Sequence, residues 1–240
     1  MRPQSILEKK LGLKGSQDHG VWIKSARTLR HLIGVLGVLL PLIIVIFSPD
    51  CIHPLESISH YYYVKSAPFL ITILSLIGIF LIIYTKDFIL SSVAGICALF
   101  VVFFPTTQLI DNCSIVDFPR SNNESLRIGF HYASAAVFLV ILAFMCIFRF
   151  TKPDFEEVKV SKTKIKYKWI YITCGILMLL ALFLVGLRTL GDIMPEAFID
   201  FYDANKLTFW METVAVEAFG VAWLVRGRES VKMSTITAAS

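Results

Sequence analysis

Long apolar segments separated by polar connections constrain the fold of this chain more than any other feature. Six such segments are present, each roughly 17–21 residues long and nearly free of formal charge. A helix rises about 1.5 Å per residue, so each segment is long enough to cross the ~30 Å hydrocarbon core of a bilayer. The predicted spans are residues 31–48, 67–84, 88–104, 128–148, 169–187 and 207–225.

The composition supports a membrane protein rather than a soluble domain. Hydrophobic residues make up 56% of the chain, charged residues make up 17%, and the mean hydropathy is +0.69. A soluble domain has about 25% charged residues. A membrane β-barrel would have short alternating segments in place of the long apolar ones. We therefore predict an all-α fold, a polytopic bundle of six transmembrane helices.

The basic residues are divided unevenly between the two sets of connections. Eighteen of the 23 Lys and Arg side chains lie in one set and five in the other. The positive-inside rule assigns the basic set, and with it both termini, to the cytoplasm. The predicted parts are a cytoplasmic basic segment at 1–30, a transmembrane domain at 31–225 and a cytoplasmic tail at 226–240. The net charge of +5 is then a topology signal, and it gives no reason to expect a nucleic-acid partner.

Two acids lie inside the last predicted span, in the stretch "LTFWMETVAVEAFGVAWLV". Helical rise puts Glu212 about 7.5 Å below Leu207 and Glu217 about 15 Å below it, near the midplane. An acid at the bilayer centre costs roughly 2.5–3.5 kcal/mol, so such residues normally face a protein interior or a water-filled cavity. A protonated glutamic acid bonded to neighbouring backbone is the structural alternative.

One histidine, His131, lies well inside a span, in the stretch "RIGFHYASAAV". Its depth of about 4.5 Å below Ile128 is close to that of Glu212. Helical spacing puts Ser134 on the same face as His131, and small residues on both helices allow close approach. We expect His131 and Glu212 to face each other across one polar pocket.

Polar side chains also cluster before the second span, in the stretch "SISHYYY" at 57–63. Tyrosines are typical of the headgroup region, but anchoring there does not explain Ser57, Ser59 and His60. We expect this segment to form a short interfacial helix that covers the pocket from the outside. The candidate pocket residues are Ser57, Ser59, His60, His131, Ser134, Glu212 and Glu217.

No recognised catalytic motif assigns a reaction, and the catalytic residues stay unassigned. His53, His60 and His131 could supply three ligands to a zinc ion, with Glu212 or Asp111 handling the proton. Catalytic zinc commonly takes three protein ligands and a water molecule. Zinc is accordingly the one cofactor that the sequence suggests.

Two cysteines, Cys51 and Cys113, lie in connections predicted to be outside. An oxidising exterior would permit a disulfide between them. A bridge and two free thiols remain alternatives, because sequence separation does not give the distance between the residues.

Four stretches carry a resemblance to known families: "SISHYYY", "FFPTT", "GFHYASAAVF" and "ETVAVEAFGVAWLVRG". Over most of residues 27–230 the chain resembles a widespread family of six-span membrane proteins of unknown function. It is also similar to the Frag/DRAM/Sfk group, which implies a connection with membrane lipids. A fainter similarity links it to the alkaline ceramidase and adiponectin-receptor superfamily of seven-span zinc amidases. The chain departs from that superfamily in having six predicted spans and no paired histidines in the last one.

Three functions fit these features, and membrane lipids are the expected partners in the first two. In the first, an outward-facing polar pocket binds a lipid headgroup in a non-catalytic lipid-handling protein. In the second, the same pocket is the site of an intramembrane lipid hydrolase that could depend on zinc. In the third, Glu217 is the proton site of a proton-coupled transporter.

Overall fold

The computed structural model describes most of the chain outside the N-terminal segment and three longer connections. The described part is entirely helical in its regular structure, which confirms the predicted all-α class. Residues 162–166 and 229–237 are described as backbone only. The described ranges are 27–49, 54–85, 87–108, 123–152, 162–189 and 194–237.

Seven α-helices follow one another along the described chain, and a short 3-10 helix lies between the first two. The 3-10 helix, Ile58–Tyr63, is called the loop helix below. A π-helical turn, Met145–Arg149, continues the fourth α-helix. The α-helices are α1 Arg27–Ile46, α2 Ala67–Ile83, α3 Phe88–Phe103, α4 Glu124–Phe144, α5 Lys162–Thr189, α6 Glu196–Ala204 and α7 Leu207–Thr237.

Four of these helices are long and apolar enough to cross a membrane. They contain the segments Arg27–Ile46, Glu124–Arg149, Tyr167–Thr189 and Leu207–Arg228. The two remaining apolar helices, α2 and α3, have 17 and 16 residues and are shorter than a typical span. The count of six spans therefore stays a prediction.

The packing of the helices depends on small residues at close crossings. α2 packs against α3, α3 against α4, and α5 against both α4 and α7. A Cβ atom on Gly220 of α7 would lie 2.7 Å from the Val38 nitrogen and 2.9 Å from the Gly34 oxygen of α1. Glycine is thus required where these two backbones meet.

Aromatic and basic side chains close the end of the bundle at which α1 begins and α2 ends. Arg30 Nε donates a hydrogen bond of 3.2 Å to the Tyr84 hydroxyl. The Trp223 ring lies 5.0 Å from the Tyr84 ring and 5.3 Å from the Phe150 ring. These contacts join α1, α2, α7 and the residue after the π-helical turn.

The loop helix lies at the opposite end of the bundle. The side chain of Ser57 caps it by accepting a hydrogen bond of 3.3 Å from His60 N. The Tyr63 hydroxyl donates a 2.6 Å bond to the Thr106 carbonyl, in the connection between α3 and α4. The helix expected in this stretch is present, and Ile58, Tyr61 and Tyr63 point into the protein.

Candidate functional site

Glu212 of α7 connects the last long helix to the loop helix. Ile58 N donates a 2.6 Å hydrogen bond to Glu212 Oε2. This N–H is in the first turn of the loop helix, where backbone donors have no acceptor within the helix. Within the described residues this is the one hydrogen bond that Glu212 makes, and its Oε1 atom remains for a ligand or water.

His131 of α4 is 3% exposed and makes a hydrogen bond through each ring nitrogen. Nδ1 lies 2.8 Å from the Phe104 carbonyl oxygen, and Nε2 lies 3.1 Å from Ser59 Oγ. A carbonyl oxygen can only accept, so Nδ1 carries the proton of the neutral imidazole. Nε2 is then the acceptor, and the Ser59 hydroxyl donates to it.

His131 and Glu212, which were expected to face one pocket, line two cavities in common, and no hydrogen bond joins their side chains. Each accepts a hydrogen bond from the loop helix instead. Glu212 accepts from Ile58 N, and His131 accepts from the hydroxyl of the next residue, Ser59. The loop helix therefore supplies the partners that the two polar side chains need inside an apolar bundle.

Three cavities meet around these residues, and Glu212 lines all of them. Two are apolar and are called the first arm and the second arm; both are also lined by Ser59, His131, Ala135 and Leu139. The first arm extends between α1, α2, α3, α4 and α7, where it is lined by Leu40, Leu70, Leu74, Val102, Phe138 and Val216. The second arm extends between α4, α5 and α7, where it is lined by Ala136, Ala181, Leu182, Val185, Gly186 and Ala215.

The third cavity, called the vestibule, is polar and lies beside the loop helix and α6. Its volume is about 260 Å³, far more than the ~10–15 Å³ that one water molecule needs. Water can therefore approach Glu212 from this side. The polar residues that line the vestibule besides Glu212 include Glu56, Ser57, His60, Arg188, Asp203 and Lys206.

Two ion pairs hold α6 and its neighbours around the vestibule. Arg188 of α5 makes two 2.8 Å hydrogen bonds to the Asp203 carboxylate of α6. Lys206 Nζ lies 3.6 Å from Glu56 Oε1, and Lys206 has a φ of 51° at the junction of α6 and α7. Desolvation by burial raises the pKa of the Tyr202 phenol, so this side chain is neutral at physiological pH.

The connection after α3 contributes backbone groups that sequence reasoning missed. Arg127 donates to the carbonyls of Pro105 and Thr106, and this holds the connection against α4. The Phe104 carbonyl thereby reaches His131. Pro105 was the available signal, since a proline just after a helix ends it and leaves the last carbonyls free for other donors.

Of the remaining candidates, one lines the vestibule, two lie apart from the three cavities, and four lie outside the described residues. Ser134 is buried in α4, and Glu217 is half-buried in α7, but neither lines the arms or the vestibule. His60 lines the vestibule, and its Nδ1 lies 3.2 Å from Ser57 Oγ. The residues outside the described part are Cys51, His53, Asp111 and Cys113.

The described residues contain no group of three or more His, Cys, Asp or Glu side chains that could hold a metal ion. Of the three expected zinc ligands, His131 lines the arms and His60 lines the vestibule. The third, His53, lies outside the described residues, so the zinc site stays a prediction.

The chain matches no protein-family model, no curated protein and no solved structure. The resemblance of the four sequence stretches to six-span families thus stays a prediction.

Proposed function

We propose that this chain is a multi-pass membrane protein that binds a membrane lipid around Glu212. The observation that carries the proposal is the position of Glu212 on the vestibule and on both apolar arms. A lipid has a polar head joined to apolar chains. Glu212 and Ser59 meet the head or its linkage, while the arms take the first part of the chains.

The surface around the arms supports a ligand that comes from the bilayer. Large apolar side chains cover the outer faces of the helices, including Ile46, Ile89 and Phe183, and Ile89 is 77% exposed. Such a surface is stable in hydrocarbon and unfavourable in water. Lipid is therefore the most abundant molecule next to the arms.

The proposed topology has six spans, both termini in the cytoplasm and the vestibule outside. It rests on the apolar helices and on the charge asymmetry of the connections. Helices α2 and α3 are about 24–26 Å long, which is shorter than the ~30 Å hydrocarbon core. Local thinning of the bilayer, or the residues that flank each helix, would complete the crossing.

Cysteine labelling in whole cells tests the proposed topology. We expect Lys65→Cys to react from outside the cell and Lys152→Cys to react only after permeabilisation.

Lipid retention by a Glu212 variant tests the proposed function. Glu212→Leu removes the polar group at the point where the vestibule and the two arms meet, called the junction below. We expect at least about a tenfold loss of lipid that copurifies in mild detergent. Glu217→Leu is the matched control, because it removes an acid from the same helix away from the cavities. Equal lipid content in the wild type and both variants, measured by lipid mass spectrometry, would contradict the proposal.

One contact favours a second candidate function, an intramembrane lipid hydrolase. Ser59 donates to His131 Nε2, and the Phe104 carbonyl orients the ring, which is the arrangement of a serine nucleophile with its general base. In this reaction Ser59 Oγ attacks an ester carbonyl while His131 takes the hydroxyl proton, and His131 returns that proton to the leaving alcohol as the ester C–O bond breaks. Water, activated by His131, then hydrolyses the acyl-Ser59 ester and releases the fatty acid. A fluorophosphonate probe should then label the wild type and Ser134→Ala but not Ser59→Ala, and absence of labelling would exclude this candidate.

A further inference from the structure

We propose that the site takes a neutral two-chain lipid with a free hydroxyl, of the diacylglycerol class. This inference rests on the proposed lipid-binding function and specifies its ligand. Three features carry it: the pairing of charges in the vestibule, the hydrogen-bonding groups at the junction, and the presence of two arms.

The charges of the vestibule oppose a phosphate headgroup. The described residues that line the vestibule include one arginine and one lysine, and each is paired with an acid. Arg188 pairs with Asp203, and Lys206 pairs with Glu56. An anionic phosphate would meet cations whose charge is already balanced by these carboxylates, so it would gain little from them. It would also lie close to the Glu212 carboxyl group, whose ionised form repels an anion.

The groups at the junction fit a hydroxyl. Glu212 Oε2 already accepts from Ile58 N, so Oε1 is the atom left to face the ligand. A hydroxyl can donate to this oxygen when the carboxyl is ionised and accept from it when the carboxyl is protonated. Ser59 uses its proton on His131, so its oxygen offers lone pairs to the same hydroxyl. When the Glu212 carboxyl is protonated, a ligand hydroxyl accepts from it and donates to Ser59 Oγ, so the hydroxyl is complementary to both side chains.

The two arms fit two chains. They share Ala135 and Leu139 of α4 near the junction, and then separate toward different helices. The first arm reaches Leu70 and Leu74 of α2, whereas the second follows α5 past Gly186. A lipid whose two acyl chains leave one glycerol would fill both arms, and a single-chain lipid would fill one.

A headgroup comparison tests the neutral hydroxyl. Native mass spectrometry is performed on the wild-type protein in detergent with either dioleoylglycerol or dioleoyl phosphatidic acid, which have the same chains. We expect dioleoylglycerol to be retained at least about tenfold more, equivalent to about 1.4 kcal/mol. Equal or stronger retention of phosphatidic acid would overturn the inference while leaving lipid binding intact. Retention of neither lipid would overturn the proposed function as well.

A variant that fills the second arm tests the two-chain fit. A Cβ atom added at Gly186 meets no atom within 4 Å, so Gly186→Leu extends into open space without displacing backbone. We expect this variant to lose about tenfold in dioleoylglycerol retention and to keep its retention of mono-oleoylglycerol. Gly129→Leu is the matched control, since its added Cβ is equally unobstructed and it lines neither arm. Equal losses for both lipids, or equal losses in both variants, would overturn the two-chain assignment.

Discussion

Single polar side chains in this protein hold the fold together and also line its cavities. Glu212 holds Ile58 N through one oxygen and faces the cavities with the other. His131 holds the Phe104 carbonyl and Ser59 at the same time. Because a buried polar group without a partner is costly, these residues stabilise the fold only as long as the loop helix stays in place.

Replacing His131 should destabilise the protein measurably. His131→Leu removes the hydrogen bonds of the Phe104 carbonyl and the half-buried Ser59 hydroxyl, at a cost of about 0.5–1.5 kcal/mol for each. Thermal unfolding in detergent should therefore occur at a lower temperature than for the wild type. Ser134→Ala is the control on the same helix, and a midpoint for His131→Leu equal to that of the control would contradict the assigned hydrogen bonds.

Two small elements, the loop helix and α6, enclose the site at one end of the bundle. The loop helix is fixed by hydrogen bonds to α7, to α4 and to the connection after α3. α6 is attached through Arg188 of α5, and both members of this ion pair are exposed by more than a third of their side-chain area. α6 is also held by the buried Tyr202, whose hydroxyl accepts a 3.4 Å bond from Thr208 of α7. The loop helix, with hydrogen bonds to three parts of the bundle, is thus the more firmly held wall of the vestibule.

The ion pair of α6 should control ligand exchange more than stability. An exposed pair contributes only about 0.2–1 kcal/mol, so Arg188→Met should unfold close to the wild type. It frees α6 beside the vestibule, and we expect faster exchange of bound lipid for isotope-labelled lipid in solution. Arg149→Met is the control because Arg149 pairs with Asp87 at the opposite end. Identical exchange rates in the two variants would show that α6 does not limit access.

At the scale of the whole molecule, the sequence predicts the long helices well because each is defined by one continuous apolar segment. It missed α6, since nine residues with acids on one face lie far below the length of a span. It also missed the partner of Glu212, because Ile58 offers a backbone N–H that carries no side-chain signature, 154 positions away along the chain. The two arms depend on how α4 packs against α3 and α5, and periodicity does not determine that packing.

Imaging of the protein in lipid nanodiscs would show whether a lipid occupies the site around Glu212. Cryo-electron microscopy with a bound antibody fragment as fiducial would resolve the site in the presence of natural membrane lipids. We expect elongated lipid density that passes Glu212 and extends from the vestibule into at least one arm. A polar atom of this lipid should lie within hydrogen-bond distance of Glu212 Oε1. Arms closed by side chains, with Glu212 bonded only to Ile58 and water, would contradict it.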